Sequence, residues 1–204
     1  MNCNAKRILL NLSTKLCEVL PVFFWAFLIF GFEEVEVAIT TIICALIHEC
    51  GHLWCILFQN GSASLGGVIF GFRIKAKKLK SYNQEISVYL CGPLANLVIA
   101  FVFYLLTPNL GEPAITVATL NLATALSNLL PIKGYDGYGI LRAVIMKSGH
   151  RDRLMVIIDH LSSLLTFLLC IFSLYLVDRQ GGGYWIFALF FFSMIKSIRS
   201  DLGE

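Results

Sequence analysis

Residues 37–58 read VAITTIICALIHECGHLWCILF, and this stretch decides the fold class. Three ionisable side chains, His48, Glu49 and His52, lie within an otherwise apolar run. A helix needs roughly 17–25 mainly apolar residues to cross the hydrocarbon core of a bilayer. Residues four apart share one face of a helix, so His48 and His52 point the same way. The stretch therefore predicts a transmembrane helix that carries a polar cluster.

The composition of the whole chain favours lipid as its solvent. Of the 204 residues, 57% are hydrophobic and only 14% are charged, and the mean hydropathy is +0.77. A soluble domain of this size needs a more polar exterior, because much of a small domain faces water. The net charge of +3 comes without a basic stripe interleaved with aromatic residues. We therefore exclude nucleic acid as a partner.

Six apolar segments predict an all-α membrane protein of about six transmembrane helices. Residues 1–204 then form a single integral membrane domain, and the first segment is an uncleaved span rather than a signal peptide. Pro108, Gly111 and Pro113 separate the third segment from the fourth, and Gly181–Gly183 separates the fifth from the sixth. The segments lie near Leu16–Phe32, Val37–Phe58, Ile86–Leu106, Ala114–Leu130, Leu154–Val177 and Gly183–Ile198.

The distribution of charge predicts the orientation of these spans. Loops on the cytoplasmic side of a membrane collect Lys and Arg. With six spans and a cytoplasmic N-terminus, only Arg179 of the 16 Lys and Arg residues falls outside, while the outer turns carry Glu33, Glu34, Glu36, Glu112 and Asp178. We therefore expect a multi-pass cell-membrane protein with both termini in the cytoplasm. His52 then lies only about six residues, roughly 9 Å, from the cytoplasmic end of its span.

The connection between the second and third spans predicts a different structure. Residues 61–85 are too many for a tight turn and too rich in glycine for a helix. The β-prone stretch from Val68 to Lys75 predicts a short β-hairpin or re-entrant segment.

The sequence His48-Glu49-Cys50-Gly51-His52 matches the pattern HExxH. Two imidazoles one helical turn apart can hold one Zn²⁺ ion, and a glutamate beside them can act as general base on a water. The alternative is that both histidines only form hydrogen bonds to neighbouring helices. Ionisable groups inside a span are costly, which favours a functional site.

A zinc hydrolase needs a third protein ligand, and Asp136 is the strongest candidate. It follows Pro131, which ends the fourth span, and it precedes Gly137, so that the backbone can turn towards the histidines. The alternative is that Asp136-Gly137 is an ordinary turn on a solvated loop.

Together these motifs resemble those of the site-2 proteases, a family of intramembrane zinc metalloproteases. HExxH is accompanied by the pattern NxxPxxxxDG from Asn128 to Gly137, and by Gly92–Asn96, which is similar to the GPxxN of relatives. The resemblance implies one zinc ion per chain, held by His48, His52 and Asp136, with Glu49 as catalytic residue. Asn96 and Asn128 then orient the site or bind substrate, or else link helices.

Size and plan are similar to the stage IV sporulation branch of that family. The resemblance implies a membrane-associated protein substrate, such as a sporulation sigma-factor precursor, and regulatory membrane proteins as partners. Many relatives carry a PDZ or CBS domain, and we expect neither here. The competing interpretation is a membrane metal-ion transporter that uses the same His and Asp residues. A third interpretation, a non-catalytic membrane scaffold, would not explain the ionisable cluster.

Overall fold

The computed structural model describes residues 27, 29–59, 61–68, 71–77, 79, 81–148, 151–180 and 184–201. Residues 29–32 are helical and precede the first long helix. The main elements, in chain order, are α1 (Val35–Phe58), β1 (Ser62–Val68), β2 (Gly71–Lys77), α2 (Tyr82–Leu110), α3 (Glu112–Asn128), α4 (Asp136–Ser148), α5 (Arg151–Gln180) and α6 (Tyr184–Asp201).

Three helices are long and apolar enough to cross a membrane. They are α1, α2 and the part of α5 from Arg153 to Arg179. Helix α3 has 17 residues, and α6 contains a shorter apolar stretch, Ile186–Ile195. The predicted first span, Leu16–Phe32, lies mostly outside the described residues. The protein is therefore a helical membrane protein, with spans at three of the six predicted places supported by helix length and composition.

The ends of α2 and α3 follow from local sequence. Ser81 precedes α2, and its hydroxyl accepts a hydrogen bond from the amide of Gln84 (3.3 Å), which satisfies one of the free N–H groups of the first turn. Gly111 lies between the two helices with φ +66°, a conformation that glycine adopts without strain. This tight connection makes α2 and α3 neighbours, and they pack closely along their length.

A two-stranded antiparallel hairpin connects α1 to α2. Ser62 lies opposite Lys77, and Val68 lies opposite Gly71. Both strands contact α1. The hairpin occupies the connection in which a hairpin or re-entrant segment was predicted.

The helices bury small and polar side chains and expose large apolar ones. Trp54 is 75% exposed, and Phe101 and Ile157 are also exposed. The buried positions include Ala100, Ala114, Ala118 and Ala125, together with Ser162, Thr166 and Ser173. Small residues allow helices to approach closely in lipid. Large apolar side chains gain no free energy by moving from the lipid-facing surface to the interior, because lipid is itself apolar. This inverted distribution is the one expected for helices whose outer faces contact acyl chains.

Helix α4 was not predicted. Asp136 and Gly137 were expected at a turn of the backbone after Pro131. In the structure Asp136 is the first residue of a 13-residue helix. Tertiary packing overrides propensity here. A Cβ on Gly139 would lie 2.6 Å from the ring of Tyr89 on α2, so the glycine permits α4 to pack against α2.

Candidate metal centre

His48, His52 and Asp136 converge in the interior of the helical bundle. The Nε2 atoms of the two histidines lie 3.2 Å apart. Asp136 Oδ2 lies 2.9 Å from His48 Nε2 and 3.2 Å from His52 Nε2. All three side chains are buried. Helix α1 thus supplies two of the groups, and the start of α4, 84 residues after His52, supplies the third.

The outer nitrogen of each imidazole is held by a protein acceptor. His52 Nδ1 lies 2.7 Å from the carbonyl oxygen of Val88. A carbonyl only accepts, so His52 Nδ1 carries the proton. His48 Nδ1 lies 2.9 Å from Asn96 Oδ1 and donates to it. When a ring is neutral, its Nε2 atom then carries the lone pair and faces Asp136.

Three electron-pair donors that face one another repel unless a cation or a proton lies between them. A proton bridges two atoms at most, whereas a metal ion can bind all three. Tetrahedral zinc with bonds of about 2.0–2.1 Å places its ligand atoms roughly 3.3 Å apart, close to the separations here. Two neutral imidazoles and a carboxylate are also the ligand types that zinc accepts in hydrolases. The residues present therefore fit a zinc ion with three protein ligands.

Asp136 is anionic at neutral pH. Burial raises the pKa of its carboxyl group, but the hydrogen bonds and charges of His48 and His52 lower it further, to about 2. A carboxylate that is charged at neutral pH can bind a cation.

Glu49 lies beside this cluster. A carboxylate oxygen of Glu49 and ligand atoms of His48 and His52 all lie within 4.8 Å of one another. Glu49 is half-buried, unlike the two histidines. A carboxylate this close to the two histidines can accept a proton from a water molecule at the site.

Gly92 makes room for both imidazoles. A Cβ at this position would lie 2.5 Å from Cε1 and Nε2 of His52 and 2.9 Å from Cε1 of His48. The first glycine of the GPxxN-like motif therefore has a steric role at the site. Any other side chain would occupy the space in which the two rings meet.

The two candidate asparagines lie in different surroundings. Asn96 is fully buried and bonds directly to His48. Asn128 Nδ2 instead donates to the carbonyl of Thr124 (2.9 Å), one turn earlier in its own helix. The structure therefore brings Asn96 to the metal ligands and places Asn128 at the end of α3.

Sequence reasoning missed two groups that support the site. One is the backbone carbonyl of Val88, which holds His52. Every residue has such a carbonyl, so the residue type at position 88 does not reveal this contact. The other is Asn121, which bonds to Asn96. An amide within the apolar sequence of α3 was the signal available for Asn121, because polar side chains in a span need a partner.

Comparisons with known proteins give a likeness of fold. No protein-family model and no curated protein matches the chain. Among solved structures, the site-2 protease from Methanocaldococcus jannaschii is similar, with a TM-score of 0.67 and 17% sequence identity. The match covers 88% of this chain and 87% of that one. The resemblance predicted from the motifs is confirmed at the level of architecture, and the chain has the fold of a site-2 protease.

Proposed function

We propose that this chain is an intramembrane zinc metalloprotease that hydrolyses peptide bonds in or beside transmembrane segments of membrane-associated proteins. The observation that carries the proposal is the triangle of His48 Nε2, His52 Nε2 and Asp136 Oδ2, with sides of 2.9–3.2 Å. The half-buried Glu49 beside the triangle and the site-2 protease fold support a hydrolase.

The residues divide the chemistry between them. His48, His52 and Asp136 would hold zinc, which acidifies water and polarises the scissile carbonyl when it is bound. Glu49 takes a proton from the attacking water and delivers it to the departing amine. A helical substrate hides its carbonyls in its own hydrogen bonds, so it must unwind locally before Glu49 can act.

The orientation and the substrate are part of the same proposal. The distribution of Lys and Arg supports six spans with both termini in the cytoplasm, which would place the metal centre near the cytoplasmic side. A membrane-bound precursor of a sporulation sigma factor is one substrate to test, alongside membrane proteins that regulate its cleavage. Tags at the two ends that respond from opposite sides of the membrane would contradict this orientation.

The decisive experiment compares Glu49→Gln with the wild-type protein, both purified and placed in lipid nanodiscs. We expect Glu49→Gln to retain zinc and to cut a transmembrane test substrate about 10²–10⁴-fold more slowly, since that is the usual contribution of a general base. Zinc content is measured by elemental analysis and cleavage by mass spectrometry of the products. Full cleavage by Glu49→Gln would sink the proposal.

A matched control and the competing function belong in the same experiment. Glu36→Gln removes a carboxylate from the exposed first turn of the same helix, and we expect it to cleave as the wild type does. A transporter would instead move zinc into liposomes, and it has no need for Glu49 as a proton acceptor. Zinc transport that survives Glu49→Gln, without cleavage by any variant, would favour the transporter.

A further inference from the structure

Two buried amides form a continuous path from α3 to His48. Asn96 on α2 and Asn121 on α3 are 0% and 1% exposed. Asn96 Nδ2 donates to Asn121 Oδ1 at 2.8 Å, and Asn96 Oδ1 accepts from His48 Nδ1 at 2.9 Å. Asn121 makes no contact with His52 or Asp136 among the described hydrogen bonds. Its effect on the site must therefore pass through Asn96.

Backbone carbonyls fix the direction of both amides. Asn96 Nδ2 also donates to Cys44 O at 3.0 Å, and Asn121 Nδ2 donates to Val117 O at 2.9 Å. Carbonyls only accept, so each amide must turn its nitrogen towards its carbonyl. Reversing Asn96 would place its oxygen against two other oxygens. The two amides can therefore satisfy their partners in one arrangement only.

This arrangement determines the state of His48. Both protons of Asn96 Nδ2 are used, by Cys44 and Asn121, so that Asn96 Oδ1 is held facing the imidazole. That oxygen accepts a hydrogen bond and cannot donate one. His48 Nδ1 then carries the proton, and His48 Nε2 keeps the lone pair that a metal requires.

We propose that Asn121 is a positioning residue for the metal centre, which acts through Asn96 to hold the His48 ring and its tautomer. The inference rests on the proposed function, because it concerns the same zinc site. Without Asn121, Asn96 Nδ2 would keep only its bond to Cys44 O, and its second N–H would be left unsatisfied in the interior. Asn121 Oδ1 accepts the hydrogen bond from that second N–H and so holds the plane of the amide.

The test measures zinc affinity by competition with a chromophoric chelator, using the full chain in nanodiscs. We expect Asn121→Leu, which keeps the volume and removes the acceptor, to bind zinc about 10–100-fold more weakly, as loss of a ligand's hydrogen-bond partner usually does. The visible spectrum of the Co²⁺-substituted protein should also change, since it reports the geometry around the metal. Asn121→Asp keeps an acceptor oxygen for Asn96 and should recover most of the affinity.

Thr124→Val is the matched control. Thr124 lies on the same helix, and its hydroxyl donates to the carbonyl of Leu120 (2.7 Å), much as Asn121 donates to Val117. It has no described bond to Asn96. Thr124→Val should leave both zinc affinity and the Co²⁺ spectrum unchanged.

A double-mutant cycle separates positioning from general stability. If Asn121 acts through Asn96, then Asn121→Leu should weaken zinc binding in the wild-type background and add nothing in an Asn96→Leu background. Equal losses in both backgrounds, or no loss in either, would overturn the inference. Asn121→Ala replaces Asn121→Leu in the cycle if leucine prevents folding.

The wild-type titration distinguishes the two kinds of failure. A wild-type protein that binds no zinc overturns the proposed function, and the positioning role with it. A wild-type protein that binds zinc, together with an Asn121→Leu protein of the same affinity and Co²⁺ spectrum, overturns the positioning role alone.

Discussion

Each metal-facing side chain is held by a contact that differs in kind from the others. His52 donates to a backbone carbonyl, that of Val88, and His48 donates to the side chain of Asn96. Asp136 is placed by the backbone, because it is the first residue of α4. Side-chain rotamers alone would not direct three donor atoms to one point, because each ring can rotate about χ1 and χ2. The hydrogen bonds remove this freedom before any metal binds, which lowers the entropic cost of binding.

The replacement Gly92→Ala tests the steric side of this arrangement. The added methyl group would lie 2.5 Å from His52 Cε1 and Nε2, so the ring must shift from its present position. We expect zinc affinity to fall at least about tenfold, comparable to the loss of an orienting hydrogen bond. Equilibrium dialysis against buffered zinc measures the change.

Gly31→Ala is the control for that substitution. Nothing lies within 4 Å of a Cβ at Gly31, and the residue is helical. Alanine there should leave zinc affinity unchanged and slightly favour the helix. An unaltered affinity for Gly92→Ala would show that the rings can move without loss of the site.

At the scale of elements, the connection between α3 and α4 decides where Asp136 lies. Ile132 packs with Cys170 of α5 and Phe190 of α6 in a buried apolar cluster. The amide of Lys133 donates to Ser162 Oγ on α5 (2.7 Å). Helices α5 and α6 carry none of the three candidate ligands. They nevertheless fix the segment that leads to Asp136.

The replacement Ser162→Ala tests this anchor. It leaves the amide of Lys133 without its acceptor in α5, so we expect the free energy of unfolding to fall by about 1 kcal/mol. Zinc affinity should fall as well, because the start of α4 loses a fixed point. Denaturation in mild detergent and chelator competition measure the two effects.

Ser173→Ala is the same substitution on the same helix. Ser173 is also buried, but its hydroxyl donates to Cys170 O within α5 (2.8 Å). It should lose less stability and no zinc affinity. Equal losses of zinc affinity for both variants would contradict the anchoring role of Ser162.

At the scale of the whole molecule, the proposed zinc ion joins distant parts of one chain. Its ligands come from α1 and α4, and Asp136 follows His52 by 84 residues, with the hairpin, α2 and α3 in between. Much of the interior consists of small and polar side chains, and apolar burial contributes less to holding helices together in lipid than in water. Binding of the proposed zinc ion would then be an important source of stability for this arrangement.

Removal of zinc should therefore lower thermal stability. Zinc at about 100 times its dissociation constant stabilises a folded protein by roughly 2.7 kcal/mol, if the unfolded chain does not bind it. We expect the unfolding temperature to fall on treatment with a chelator and to recover with Zn²⁺ but not with Mg²⁺, which prefers oxygen ligands. Differential scanning fluorimetry measures the change.

His48→Ala is the control for chelation. It lacks one of the ligands, so its unfolding temperature should be the same with and without the chelator. A chelator effect of full size in His48→Ala would mean that the metal binds elsewhere.

The sequence by itself determined the membrane class, the pairing of His48 with His52 and the kind of metal they suit. These depend on local rules, namely the length of apolar segments and the period of the helix, which act over a few residues. It also selected Asp136 and Asn96 through their motifs, although it gave equal standing to Asn128, which bonds within its own helix.

Only the tertiary structure decided which distant groups meet. The approach of Asp136, the carbonyl of Val88 and the amide pair of Asn96 and Asn121 depend on how four helices pack. Helix α4 also arose from packing, since its glycines disfavour helix in isolation but Gly139 fits against Tyr89. Contacts between residues far apart in the chain depend on the shape of every intervening element. A sequence pattern contains no information on the distance between such residues in space.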